Sequence, residues 1–284
     1  MSAGDVERLR AWIGRKASRE DVVTAWPVIG LTATLDRNDP EPKPGDTIPP
    51  GWHWLYFLEA EPATGLGPDG HPRVGGFLPQ TGLPRRMWAG GRIEFRRPLR
   101  IGDRIRRDSE ILSIRPKDGR SGKLVFVTVR HTVTAAGEIA VVEEHDIVYR
   151  EAAKAGNPPP PAIPAPRKAA WQRELVADPV MLFRYSALTF IGHRIHYDLD
   201  YCRQVEGYPG LVVHGPLQTL LILDLCRRYE TRPVRKLDYR ALQPVFHFER
   251  MSVNGDPSAD AATSELWTAN AAGNVAMQAT ACFA

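Results

Sequence analysis

The sequence is poor in cysteine. Cys202, Cys226 and Cys282 are the only three in 284 residues, and no two are spaced Cys-x-x-Cys. That excludes a disulfide framework and a structural zinc site and leaves reduced thiols, Cys226 within a helix. Long apolar runs are missing too: nowhere do about 18 uncharged apolar residues follow one another. The opening residues, MSAGDVERLRAWIGRK, carry acids and arginines where a secretory leader would be apolar. No membrane span is expected, and the chain reads as soluble and cytoplasmic. Blocks of one charge are lacking: the net charge is +4, and the arginines are scattered apart from pairs such as Arg85-Arg86, Arg96-Arg97 and Arg106-Arg107. Such a distribution speaks against nucleic acid and suits a small anionic ligand. The stretch GGRIEFRRPLRIGD contains no Gly-x-Gly-x-x-Gly and no phosphate-cradling loop precedes a helix elsewhere, so no nucleotide cofactor is expected, and no metal ligand set completes itself.

What is present divides the chain near its middle. Residues 155–170, AGNPPPPAIPAPRKAA, are too rich in proline for a helix or central strand and read as an extended connector between residues 1–154 and 171–284. Before it, residues 90–150 read as four long antiparallel strands, with Asp118-Gly119, Ser121-Gly122 and Gly137 as turns. After it a shorter version follows. Setting 93–103 beside 246–256 pairs Phe95 with Phe248, Arg97 with Arg250 and Gly102-Asp103 with Gly255-Asp256; Gly137-Glu138 then answers Gly273-Asn274. The pattern suggests a duplicated unit. Residues 215–230, GPLQTLLILDLCRRYE, form a buried helix, with Pro216 in its first turn and Arg227-Arg228 at its end. The first half offers only residues 5–21 as a helix. Residues 184–198, RYSALTFIGHRIHYD, alternate like a buried strand yet hold two of the chain's 8 histidines three apart.

These residues carry a resemblance. YSALTFIGHRIH, followed from Gly210 by GLVVHGPLQTLLILDL, resembles the hydratase motif and helix start of MaoC-like (R)-specific enoyl-CoA hydratases. WHWLYFL, GPDGHP, GGFLP and LPRRMWAGGRIEFRRPLRIGD are similar to the mesaconyl-C4-CoA and itaconyl-CoA hydratase branch and to the mitochondrial 3-hydroxyacyl-thioester dehydratases. The resemblance implies an α+β double hot-dog fold, two antiparallel sheets each wrapped on a central helix. It also implies a cytoplasmic hydro-lyase acting on an acyl-CoA thioester without a cofactor, as monomer or homodimer. The family motif ends in a catalytic histidine, which falls on His196, but its catalytic aspartate falls on Ile191. Isoleucine neither accepts a proton nor orients water.

On this reading His196 activates water and returns the proton, His193 shares in that work, and Asp198 is the next candidate to orient an imidazole. The Gly215 N–H at the start of the helix supports the enolate oxygen. An extra carboxylate on the substrate would seek a guanidinium, Arg194 first, then Arg184 and Arg86. Tyr197 and His214 join the substrate contacts. Plainer readings stand beside these. Both motif histidines could brace loops, His-x-x-His could be half a metal site, His214 could simply brace the helix start, and the tryptophans could be pocket wall. A dehydratase of fatty-acid synthesis would use the same residues in reverse, and a protein that only binds acyl-CoA would account for Ile191.

Overall fold

The computed structural model describes residues 3–119, 122–152 and 162–284. Most of the connector's prolines, and Ser121 of the turn named above, lie outside the described residues. Among the described residues no helix is long and apolar enough to cross a membrane.

The first half runs α1 (Ala3–Arg10), β1 (Lys16–Val22), α2 (Ala25–Thr34), β2 (Arg85–Phe95), β3 (Arg104–Gly119), β4 (Gly122–Ala135) and β5 (Glu138–Arg150). The second runs β6 (Trp171–Val176), α3 (Pro179–Thr189), α4 (Leu199–Tyr201), α5 (Gly215–Tyr229), β7 (Val234–Ala241), β8 (Arg250–Pro257), β9 (Thr263–Ala269) and β10 (Val275–Phe283). The sheet order is β1-β3-β4-β5-β2-β7-β10-β9-β8-β6. Read from each edge toward the middle, both halves repeat one order: first strand, third, fourth, fifth, second. The two sheets expected from the sequence are joined into one antiparallel sheet by β2 and β7, with Gly91 opposite Tyr239 and Gly90 opposite Arg240. At Gly90 a side chain would collide with backbone, since a Cβ there would lie 2.5 Å from the Tyr239 carbonyl oxygen.

The sheet curves around α5. Pro216 suits its first turn, and Leu217, Leu220, Leu221, Ile222, Leu223 and Leu225 are all buried. Six such side chains contribute roughly 10–20 kcal/mol of transfer free energy toward the cost of ordering the chain. The same helix buries one acid, Asp224, held by the guanidinium groups of Arg37, Arg173 (3.0 Å) and Arg228 (2.8 Å). Arg37 comes from the first half, so this cluster ties the halves together. Where the second half has α5, the first has a four-residue turn, Trp52–Leu55, seated on Leu220 and Leu223 through the bare face of Gly51.

Three expectations change. The helix expected over residues 5–21 ends at Arg10; Gly14 takes a positive φ, and Lys16–Val22 becomes an edge strand on β3. Residues 185–189 belong to α3 rather than a strand, the helix ending where Phe190 adopts a left-handed backbone. The repeat holds at Gly137 and Gly273, both positive-φ turn glycines, but not at Gly102 and Gly255: the first turns before β3, whereas the second lies within β8. Helix α2 adds an element the sequence did not announce. It packs on α3 at Gly30, where a Cβ would strike Leu188.

Candidate active site

Three pieces of chain converge at the start of α5. The first is the motif loop, leaving α3 and entering a single 3-10 turn, Arg194–His196. His196 is buried, and its Nδ1–H donates to the Val212 carbonyl at 2.7 Å, which leaves the lone pair on Nε2. Burial, more than the neighbouring histidine His71, brings its pKa down to about 3, so the imidazole is neutral at pH 7. The His196 ring lies face to face with His214, centroids 3.5 Å apart. His214 is itself buried, sharing a 2.8 Å hydrogen bond between Nε2 and Ser186 Oγ.

The second piece is the helix start. Gly215 is its first residue and Pro216, next, has no N–H to offer. A Cβ on Gly215 would make ordinary contact with Trp88 at 3.6 Å, so the indole of β2 forms the opposite wall. The register shift between Trp88 and Gly90 turns this side chain inward. Behind it lies a buried nest absent from the sequence reading. Glu143 accepts from His53 (2.9 Å) and Trp54 (2.9 Å), with the His145 ring 3.7 Å from that of Trp88. Burial would raise the Glu143 pKa, but His145 and His53 outweigh it and hold the carboxyl well below its usual range.

The third piece is the loop of GPDGHP, from the first half, which docks on the motif. Gly70 and Gly192 face each other so closely that a Cβ on Gly70 would lie 1.9 Å from the Gly192 carbonyl oxygen. The Arg194 N–H donates to the Asp69 carbonyl (2.9 Å) and its Nη1 to the Pro68 carbonyl (3.0 Å). Asp69 Oδ2 accepts from His71 Nδ1 at 3.0 Å, and the His71 ring sits 4.0 Å from His193, whose edge meets His196 at 5.3 Å. Burial lowers His71 and takes His193 down to about 2; Asp69, despite burial, is drawn down to about 2 by His71.

Donor atoms of Asp69, His71 and His193 lie within 4.8 Å of one another, a spacing that would also suit a metal ion. Two features tell against one. The Arg86 guanidinium acts on both imidazoles as a like charge, and His71 Nδ1 is already engaged with Asp69.

The structure thus brings His193, His196, His214, Gly215 and Arg86 together and sets four expected residues aside. Arg194 is committed to Asp198 (2.7 Å), to Pro68 and to the face of Tyr201, and so clamps the loops rather than waiting for a carboxylate. Arg184 is exposed on the face of α3 opposite buried Leu182, Tyr185 and Ser186. Tyr197 is half-exposed at the rim, its hydroxyl donating to the Gly192 carbonyl. Asp198 is taken by Arg194 and by the Tyr201 N–H. Arg85 pairs with Glu206 (2.6 Å), whereas Arg86 has no carboxylate partner among the described residues and lies against the Tyr149 hydroxyl.

Comparison with known proteins agrees with this architecture. Residues 51–247 match the family model described as hydroxyacyl-thioester dehydratase type 2. The chain is 44% identical to the mesaconyl-C(4)-CoA hydratase of Chloroflexus aurantiacus, over 88% of this chain and 89% of that one. It is 26% identical to the mitochondrial hydroxyacyl-thioester dehydratase type 2 of Schizosaccharomyces pombe, over 70% of this chain and 75% of the other. A solved MaoC-like dehydratase superposes with a TM-score of 0.69 at 15% identity, covering 97% of this chain and 100% of that one, which supports the hot-dog fold. Matched by the family model over more than half its length, the chain belongs to the hydroxyacyl-thioester dehydratase type 2 family of MaoC-like hot-dog hydro-lyases.

Proposed function

We propose that the chain adds water to, and removes it from, a short enoyl-CoA that carries a second carboxylate, of the mesaconyl-C4-CoA or itaconyl-CoA kind. The observation that carries this reading is Arg86, a cation without a carboxylate partner among the described residues, set against His71 and His193. The likeness to mesaconyl-C(4)-CoA hydratase supports the same substrate class.

In the hydration direction His196 Nε2 takes a proton from water while the water oxygen bonds to the β-carbon. The π pair moves onto the thioester oxygen, to which the Gly215 N–H donates a hydrogen bond, and the imidazolium returns the proton to the α-carbon. His193 holds the water. No cofactor enters this balance.

A dehydratase of linear 3-hydroxyacyl thioesters would run the same steps backward, and the family match favours that as the second reading. Incubation with crotonyl-CoA, mesaconyl-C4-CoA and itaconyl-CoA, followed by enoyl-thioester absorbance and product mass, separates them. Preference for a carboxylated substrate is expected. Preference for crotonyl-CoA would give the second reading, and no turnover of any would leave only thioester binding.

A further inference from the structure

The hydratase motif carries Ile191 where the family has a carboxylate, so a positive charge gained by its histidines has no counter-charge within the motif. Four imidazoles nevertheless stand in a row, His71, His193, His196 and His214, with neighbouring centroids 4.0, 5.3 and 3.5 Å apart. Among the described residues, only one end of the row carries an acid. Asp69 accepts from the His71 ring at 3.0 Å and from the His71 backbone N–H at 3.1 Å, which fixes both the rotamer and the tautomer of that imidazole. Its charge acts on His193 as well as on His71. Asp198, the other acid near the motif, is taken by Arg194 and by the Tyr201 N–H.

We infer that Asp69, acting through His71, is the carboxylate that supports the histidine base of this site, supplied by the first half of the chain in place of the aspartate missing at Ile191. The inference rests on the hydratase reading and names positioning residues within it. The loop is built for that role. The contact of Gly70 with Gly192, and the two hydrogen bonds from Arg194 to the Asp69 and Pro68 carbonyls, hold Asp69 and His71 against the motif. The groups facing this row are Asp69, Arg86 from β2 and Tyr185 from α3, whose ring lies 4.9 Å from that of His214. Arg86 opposes a proton on the imidazoles. Asp69 favours one.

The test is Asp69→Asn, with Asp69→Asn/Ile191→Asp beside it. Asp69→Asn is expected to lower kcat on the order of 10²-fold with KM nearly unchanged. The acid limb of kcat/KM should also move to lower pH, because imidazoles that lose their anion hold protons less tightly. Returning an aspartate at 191 should recover much of the rate. A loss of rate with an unmoved acid limb would mean that Asp69 only shapes the loop, and full activity in Asp69→Asn would remove it from the mechanism. Activity abolished by a chelator and restored by zinc would also overturn the inference, in favour of a metal between Asp69, His71 and His193. Should the wild-type protein turn over none of the substrates, the His71 tautomer read from ¹⁵N chemical shifts at pH 7 still decides the pairing: the proton should sit on Nδ1 in the wild type and lose that preference in Asp69→Asn, and an unmoved tautomer would refute it.

Discussion

His196 and His214 lie ring on ring, 3.5 Å apart and 19° from parallel. Their hydrogen bonds separate their duties. His196 is anchored to a backbone carbonyl through Nδ1 and keeps Nε2 for chemistry, whereas His214 bonds Ser186 through Nε2 and has its other nitrogen, Nδ1, buried out of reach of substrate. His196→Ala should therefore lower kcat by about 10²- to 10⁴-fold while leaving KM for the thioester nearly unchanged. His214→Ala should act mainly on folding, at about 1–3 kcal/mol for the orphaned partner and the lost stack. Steady-state kinetics and chemical denaturation of both variants check the division, and equal kcat losses would contradict it.

Arg86 and Arg194 predict a second contrast. Arg86→Ala should weaken a carboxylated enoyl-CoA by about 10- to 100-fold in kcat/KM, the worth of a charge-assisted hydrogen bond, and leave crotonyl-CoA almost untouched. Arg194→Ala should impair every substrate alike, because it releases the loop carrying Asp69 and His71. A substrate-selective effect in Arg194→Ala would reverse the assignment.

Stability should fall on mild acidification. His131 and His196 have pKa values brought down by burial to about 3, and His193 to about 2, against about 6.5 in an unfolded chain. Between those limits the unfolded state binds protons that the folded state refuses. The folded state is therefore undisturbed above pH 6.5 and loses up to about 1.4 kcal/mol per histidine for each pH unit below it. Thermal melts at pH 7.5, 6.5 and 5.5 should show Tm steady over the first step and dropping over the second. A variant lacking His131 should drop less.

Asp224 predicts a large effect away from the site. Asp224→Asn leaves the guanidinium groups of Arg37, Arg173 and Arg228 around a neutral group inside the protein, and should cost about 3–5 kcal/mol. Replacing only Arg228, the most exposed of the three at 33%, should cost far less. Urea denaturation gives both values.

Much of the fold was legible from the chain because period-two alternation and turn glycines mark β3 to β5, and Pro216 with the leucine run marks α5. Helix α2 escaped notice because Ala25–Thr34 has no charged residue to show a solvent face and contains both Pro27 and Gly30. The stretch YSALTF alternates by polarity yet lies largely in a helix, since Asp178 caps α3 through the Met181 N–H and Pro179 opens it. Of the site, His196, His193 and Gly215 could be read locally. Asp69 and His71 could not, because they reach the motif only through the docking of their loop, by the Gly70–Gly192 contact and the Arg194 hydrogen bonds. The preference for Arg194 went astray for a related reason: its partners, Pro68 and Asp198, become visible only when the loops are docked.

The four-residue turn at Trp52–Leu55, where the other half has a fifteen-residue helix, has a consequence for how many reactions one molecule runs. A symmetric pair of repeats would present two helix starts and two oxyanion cradles. Among the described residues the first half offers no such start, and its side chains His71, Asp69 and Arg86 stand by the motif histidines of the second half. On the proposed mechanism this asymmetry is a division of labour, the second half furnishing the amide and the histidine base and the first half the charges, so that two such repeats would make one site rather than two.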